Sequence, residues 1–177
     1  MMEKHEKALK RIEEKLKKID FNESFSDGCY RRRHLLHSIN DAENYASPEF
    51  AVYYFEEAKM CYIYEQFVAC ILMCHLVCSE MLKSYYRPIP GSIDMVNRFG
   101  FKELIDKARS DKIISEDISK KLHEMRKFRN LLEHTKDYTF DEMVLLGARI
   151  RFESDDVALE YLKLAIILKK SLSWPLS

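Results

Sequence analysis

Turn-forming residues are scarce, with four glycines and four prolines in 177 positions. Sheets closed by tight turns draw on both, so this shortage argues against an all-β architecture and for long helices. Net charge is missing too: Lys plus Arg total 29, and Asp plus Glu total 29. A chain that coats nucleic acid by bulk charge is basic, so any such contact here has to be local. The longest apolar run, Phe67 to Cys78, is shorter than the ~20 residues a membrane-spanning helix needs. No Gly-rich phosphate loop, nucleophile elbow or Cys-x-x-Cys pair occurs, which sets aside several enzyme classes. The first residues, MMEKHEKALKRIEEKLKKID, are too charged for a secretory leader. A soluble, cytoplasmic chain with no membrane contact is expected.

What is present is helical periodicity. Leu9, Ile12, Leu16 and Ile19 recur at helical spacing over residues 3 to about 20. DFNESFSDG is expected to break that helix, and a shorter one is expected around Leu35, Leu36 and Ile39. Ser47-Pro48-Glu49 has the residues of a helix start. Helix follows to about Tyr86, with a break expected near Tyr62–Glu65. Glu65 to Tyr86 is apolar nearly all round and should be the central buried helix. RPIPGS ends it, because two prolines and a glycine cannot continue the ladder. FKELIDKARSDK is a short amphipathic helix. Ser115 opens another that carries Ile118, Leu122, Met125 and Leu132 on one stripe. Thr139-x-x-Glu142 fits a capping box, and Ser154 is the expected cap of the last helix. The fold class is all-α, an antiparallel bundle of four to five core helices over residues 48–177, with residues 1–47 as an N-terminal helical extension.

Several clusters carry chemistry-bearing residues. Cys70, Cys74 and Cys78 share a helix stripe, but structural zinc draws four ligands from separate elements, and free cysteine is a common core residue. No metal site and no cofactor is expected. Arg31-Arg32-Arg33-His34 can hold phosphates or form a solvated helix start. Tyr53, Tyr54, Phe55, Tyr62, Tyr64 and Phe67 can stack on bases, yet at helical spacing such a set is more often core. In MRKFRNLLEH, Asn130 and His134 stand one helical turn apart with Arg129 beside them. A titrating imidazole, an amide to orient it and a fixed cation are the parts that RNA phosphodiester cleavage needs. The plain alternative is a charged helix face held by an Arg129–Glu133 pair.

The segment Arg129-Asn130-Leu131-Leu132-Glu133-His134 resembles the signature of the HEPN family: Arg, a polar residue, three variable residues, then His. The approach to it looks like the family's too, with a short helix, a turn and a long helix closed by the motif. Upstream, FEEAKMCYIYEQFVACILMCHLVCSEMLKSYYR looks like the family's central helical pair, with Glu80 near its end. Downstream, ESDDVALEYLKLAIILKKSL looks like its closing helix. The resemblance spans about Pro48 to Leu172. It implies a HEPN-like bundle and a metal-independent endoribonuclease, often a toxin or defence effector, acting as a homodimer whose motifs face one cleft. On that basis His134 is the acid/base, Arg129 stabilises charge at phosphorus, and Asn130 orients His134 or the phosphate. Arg126, Lys127 and Lys136 would bind the RNA substrate. An antitoxin or other protein partner is implied for some members. Those silenced by tyrosine modification carry His-x-Tyr, whereas here Tyr138 follows His134 by four residues. The alternative within the family is a non-catalytic helical adaptor that binds a protein partner or a nucleotide.

Overall fold

The computed structural model describes residues 25–39, 49–133 and 140–172, with side chains at all of these but 39, 49, 133 and 140–152. Seven helices occur among the described residues, and no strand: α1 (Phe25–Ile39), α2 (Glu49–Ile63), α3 (Phe67–Tyr86), α4 (Ile93–Arg98), α5 (Phe101–Ser110), α6 (Glu116–Glu133) and α7 (Phe140–Ser171). The expected all-α class is what the chain adopts. The helix expected over residues 3–20 and the capping residues Ser47, Pro48 and Thr139 lie outside the described residues.

Helix α3 is the axle. It packs against α2, α4, α5, α6 and α7. Cys70, Ile71, Cys74, Val77, Cys78 and Leu82 are fully buried along it. By length and composition α3 is also apolar enough to cross a membrane, because Met81, Leu82, Tyr85 and Tyr86 carry apolar character two turns beyond Cys78 despite Glu80 and Lys83. Half of its most apolar window is buried against the other helices, and a core helix meets the same criteria. The three stripe cysteines are core. Burial pushes the Cys78 thiol up to about 12, and burial together with Cys70 holds Cys74 well above its usual value. Among the described residues no group of three or more His, Cys, Asp or Glu is placed to hold a metal ion.

The expected break between α2 and α3 falls at Tyr64–Gln66. Gln66 N–H donates to the Cys61 carbonyl (2.8 Å) and Glu65 N–H to the Tyr62 carbonyl (3.2 Å). This is the Schellman pattern of a helix C-terminus, whose usual resident at the left-handed position is glycine. Here Glu65 holds it, at φ 61°. The end of α5 repeats the arrangement. Ile113 N–H donates to the Ala108 carbonyl (2.9 Å) and Lys112 N–H to the Arg109 carbonyl (3.0 Å), with Lys112 at φ 60°. Each left-handed non-glycine residue costs about 1 kcal/mol. A chain short of glycine closes two turns this way.

Two expectations need correction. Helix α1 begins at Phe25, so the second half of the expected breaker, Phe25 to Gly28, is helical, while residues 20–24 lie outside the described residues. A Cβ at Gly28 would stand 3.1 Å from both terminal nitrogens of Arg32, so the glycine is there for the guanidinium's close approach. And Ser154 does not cap the last helix: α7 is continuous over 32 residues and Ser154 is buried inside it. A serine cap is worth about 1 kcal/mol. With no proline between Phe140 and Ser154, keeping the backbone ladder intact outweighs it. Helix α4 was not anticipated at all; it is a six-residue turn that seats Val96 in the core.

Candidate functional site: a basic cleft between α3, α5 and α6

Helix α6 sorts its residues by face. Leu122, Met125 and Phe128 are buried, with Phe128 edge-on to Tyr161 of α7 (ring centroids 6.4 Å apart). Burying that stripe turns Arg126, Arg129 and Asn130 toward a cleft of about 440 Å³. The opposite wall is α3, through His75, Ser79 and Lys83. The third side is Phe99, Gly100 and the first turn of α5, Phe101 to Glu103. Four cationic side chains (Lys83, Lys102, Arg126 and Arg129) and one carboxylate, Glu103, line it. A chain with zero net charge has thus gathered positive charge in one place.

The partners differ from cation to cation. Arg129 Nη1 donates to Asn130 Oδ1 (3.2 Å), so Asn130 orients the arginine. Lys83 Nζ pairs with Glu80 (2.9 Å), and Glu80 also meets Arg87 (3.4 Å). Arg126 is half-buried, and its Nε is fully buried with no hydrogen-bond partner. His75 sits edge-on to Phe101, ring centroids 4.5 Å apart. Burial, then the nearby charges of Arg129, Lys83 and Arg126, drive its pKa down to about 4. The imidazole is therefore neutral at pH 7 and can accept or donate one hydrogen bond.

Of the residues singled out in the sequence, Arg126, Arg129 and Asn130 come together here. Lys127 is exposed and does not line the cleft. His134 and Lys136 lie outside the described residues. His75, Ser79 and Lys83 were missed as a unit. Their signal is a polar residue every fourth position on an otherwise apolar helix, one residue out of phase with the cysteine stripe.

The other clusters resolve differently. Arg32 is buried: its Nε donates to the Ile63 carbonyl (3.0 Å), and its guanidinium pairs with Glu65 (2.7 Å). It caps α2 and braces the strained Glu65 turn. Arg31, Arg33 and His34 are exposed. Of the aromatic set, Tyr62 is core, with Tyr54, Phe55 and Phe67 packed against it, whereas Tyr53 and Tyr64 are exposed. No protein-family model, curated protein or solved structure matches the chain.

Proposed function

We propose that this chain is a HEPN-like endoribonuclease that works as a homodimer without metal, in the manner of a toxin or defence effector. In this reading His134, which follows α6 directly in the chain, takes the 2′-hydroxyl proton. The 2′-oxygen attacks phosphorus, a 2′,3′-cyclic phosphate forms, and the bond to the 5′-oxygen breaks. An acid, the motif histidine of one protomer or the other, protonates that leaving oxygen. Arg129, steered by Asn130, stabilises the charge that builds on the phosphoryl oxygens. Arg126 holds the strand, with Lys127 and Lys136 flanking it. The observation that carries the reading is the basic cleft: the neutral chain concentrates cations where the Arg-Asn motif lies. The order of a short helix, a turn and a long helix closed by the motif supports it as well.

The test is cleavage of single-stranded RNA in excess EDTA. Wild type is expected to leave 2′,3′-cyclic phosphate ends. His134→Ala should lower the rate by about 10²–10⁴-fold with the helical signal unchanged, and Arg129→Ala by about 10²–10³-fold. Cutting that survives His134→Ala refutes the assignment.

A second reading, a non-catalytic adaptor, draws on a different observation. Phe25, Tyr30, Phe50 and Tyr53 of α1 and α2 are each more than half exposed, which is apolar surface suited to a protein partner. A folded wild-type protein silent on RNA would favour it.

A further inference from the structure

Helix α2 turns an apolar row away from the bundle. Ala51, Ala58 and Tyr62 are buried on its inner face. On its outer face Phe50, Tyr53, Glu57 and Met60 follow one another at steps of three, four and three residues. Tyr64 continues the series, because its N–H donates to the Met60 carbonyl (3.1 Å) and prolongs the helical course. Such spacing lines side chains along one face of a helix. Phe50 is 64% exposed, Tyr53 60%, Met60 43% and Tyr64 44%. Four of the eleven large apolar side chains exposed among the described residues thus stand in this one row. Single exposed apolar residues need no explanation, whereas a contiguous row marks a surface that something covers. Tyr53 rests edge-on against Tyr54, ring centroids 5.9 Å apart, which holds its ring in place.

We propose that this row is the docking site of the chain's own residues 3–20, which lie outside the described residues. Leu9, Ile12, Leu16 and Ile19 step by three, four and three, the same intervals as Phe50, Tyr53, Glu57 and Met60. Two helices that share a stripe period interlock along their length. The tether sets the direction. Arg32 of α1 donates to the Ile63 carbonyl at the end of α2, and Phe25, where α1 begins, stands seven residues or about 10 Å along the helix from it. The six steps of chain from Ile19 to Phe25 reach up to about 20 Å, enough to seat Ile19 beside Met60. The segment then lies along α2 with Leu16 at Glu57, Ile12 at Tyr53 and Leu9 at Phe50. Residues 3–20 hold no Phe, Tyr or Trp, so slim aliphatic side chains enter between the rings of α2. Charge agrees as well: residues 3–20 carry seven Lys or Arg against five Asp or Glu, and α2 carries three glutamates against one lysine. A helix of this length is marginal alone in water, and burying its stripe is what stabilises it. Tethering also gives the segment an effective concentration on the order of millimolar, which favours it over an outside partner. The inference stands apart from the nuclease reading, and it covers from within the chain a face that the adaptor reading leaves to another protein.

The experiment is backbone hydrogen exchange on the full chain, read at residues 9–19. In wild type these amides should exchange at least about tenfold more slowly than in Tyr53→Asp or Met60→Asp. Both substitutions fall on exposed side chains, so protection in α3 and α6 should stay as it is and report that the bundle survives. Glu57→Leu replaces the one polar step of the row and should slow exchange at residues 9–19 about fivefold further. Equal exchange at residues 9–19 in wild type, Tyr53→Asp and Glu57→Leu overturns the proposal. Protection that grows with protein concentration overturns it too, because it assigns the row to a second copy. Residues 9–19 unprotected in the wild-type chain leave the row to an outside partner and refute the assignment as well. Loss of RNA cleavage in His134→Ala bears on the nuclease reading alone.

Discussion

Two arginine-rich stretches look alike as text: Arg31-Arg32-Arg33 on α1, and Arg126-Lys127-Phe128-Arg129 on α6. Arg32 is turned inward in the first, and Arg126 and Arg129 in the second. Arg32 meets a helix-end carbonyl and a carboxylate, so its charge is spent inside the protein. Arg126 meets a cleft shared with three other cations and keeps a buried nitrogen without an acceptor. Arg32 is buried and Arg126 half-buried, and their pairing is opposite. A satisfied guanidinium holds helices together; an unsatisfied one beside like charges is held at some cost by the fold and is available to an anion.

That contrast can be broken by mutation. Arg32→Ala removes charged hydrogen bonds and the brace on the Glu65 turn, and should cost about 3 kcal/mol in a urea titration. Retention of full stability would mean that Arg32 is ornamental. The His75 pH dependence comes next. Its folded pKa lies below the unfolded value of about 6.5, so the neutral form is favoured in the fold. The contribution is complete above pH 6.5 and is lost as pH falls from there through about 4. Allowing for partial exposure, roughly 2 kcal/mol should vanish over that window, and His75→Phe should flatten the profile. Arg126→Met should move the other way from Arg32→Ala. Removing a poorly paired cation from a like-charged cluster is expected to raise stability by about 0.5–1 kcal/mol. Phosphate should raise the melting temperature of wild type, and not of Arg126→Met. The smallest effect concerns the two turns. Lys112→Gly relieves a left-handed residue with no brace and should stabilise by about 0.5 kcal/mol, whereas Glu65→Gly loses the Arg32 pair along with the strain and should gain nothing.

Most helices were legible because each reports its own burial. Leu104, Ile105 and Ala108 on α5, and Leu122 and Met125 on α6, recur at the helical period, and all are buried. Ser154 misled because a capping residue signals only a local preference, and helix continuation decides against it whenever no breaker intervenes. Gly28 misled for a related reason: its use is set by Arg32 one turn away. The site was half legible. Arg129 and Asn130 stood out through the Arg-Asn-x-x-x-His spacing, and Arg126 as part of the basic stretch beside it. His75, Ser79 and Lys83 did not, since nothing in a linear string says which face of α3 meets α6.

Sequence alone therefore determined the all-helical class, the central place of Phe67–Tyr86 and the Arg-Asn stretch as a chemical feature. Periodicity and composition are local properties, and they suffice for that. Tertiary structure decided which arginine is structural and which faces a cleft, and that a histidine thirteen positions after Tyr62 becomes a neutral wall of a basic pocket. Electrostatic character depends on distances between helices far apart in the chain, and packing alone sets those distances.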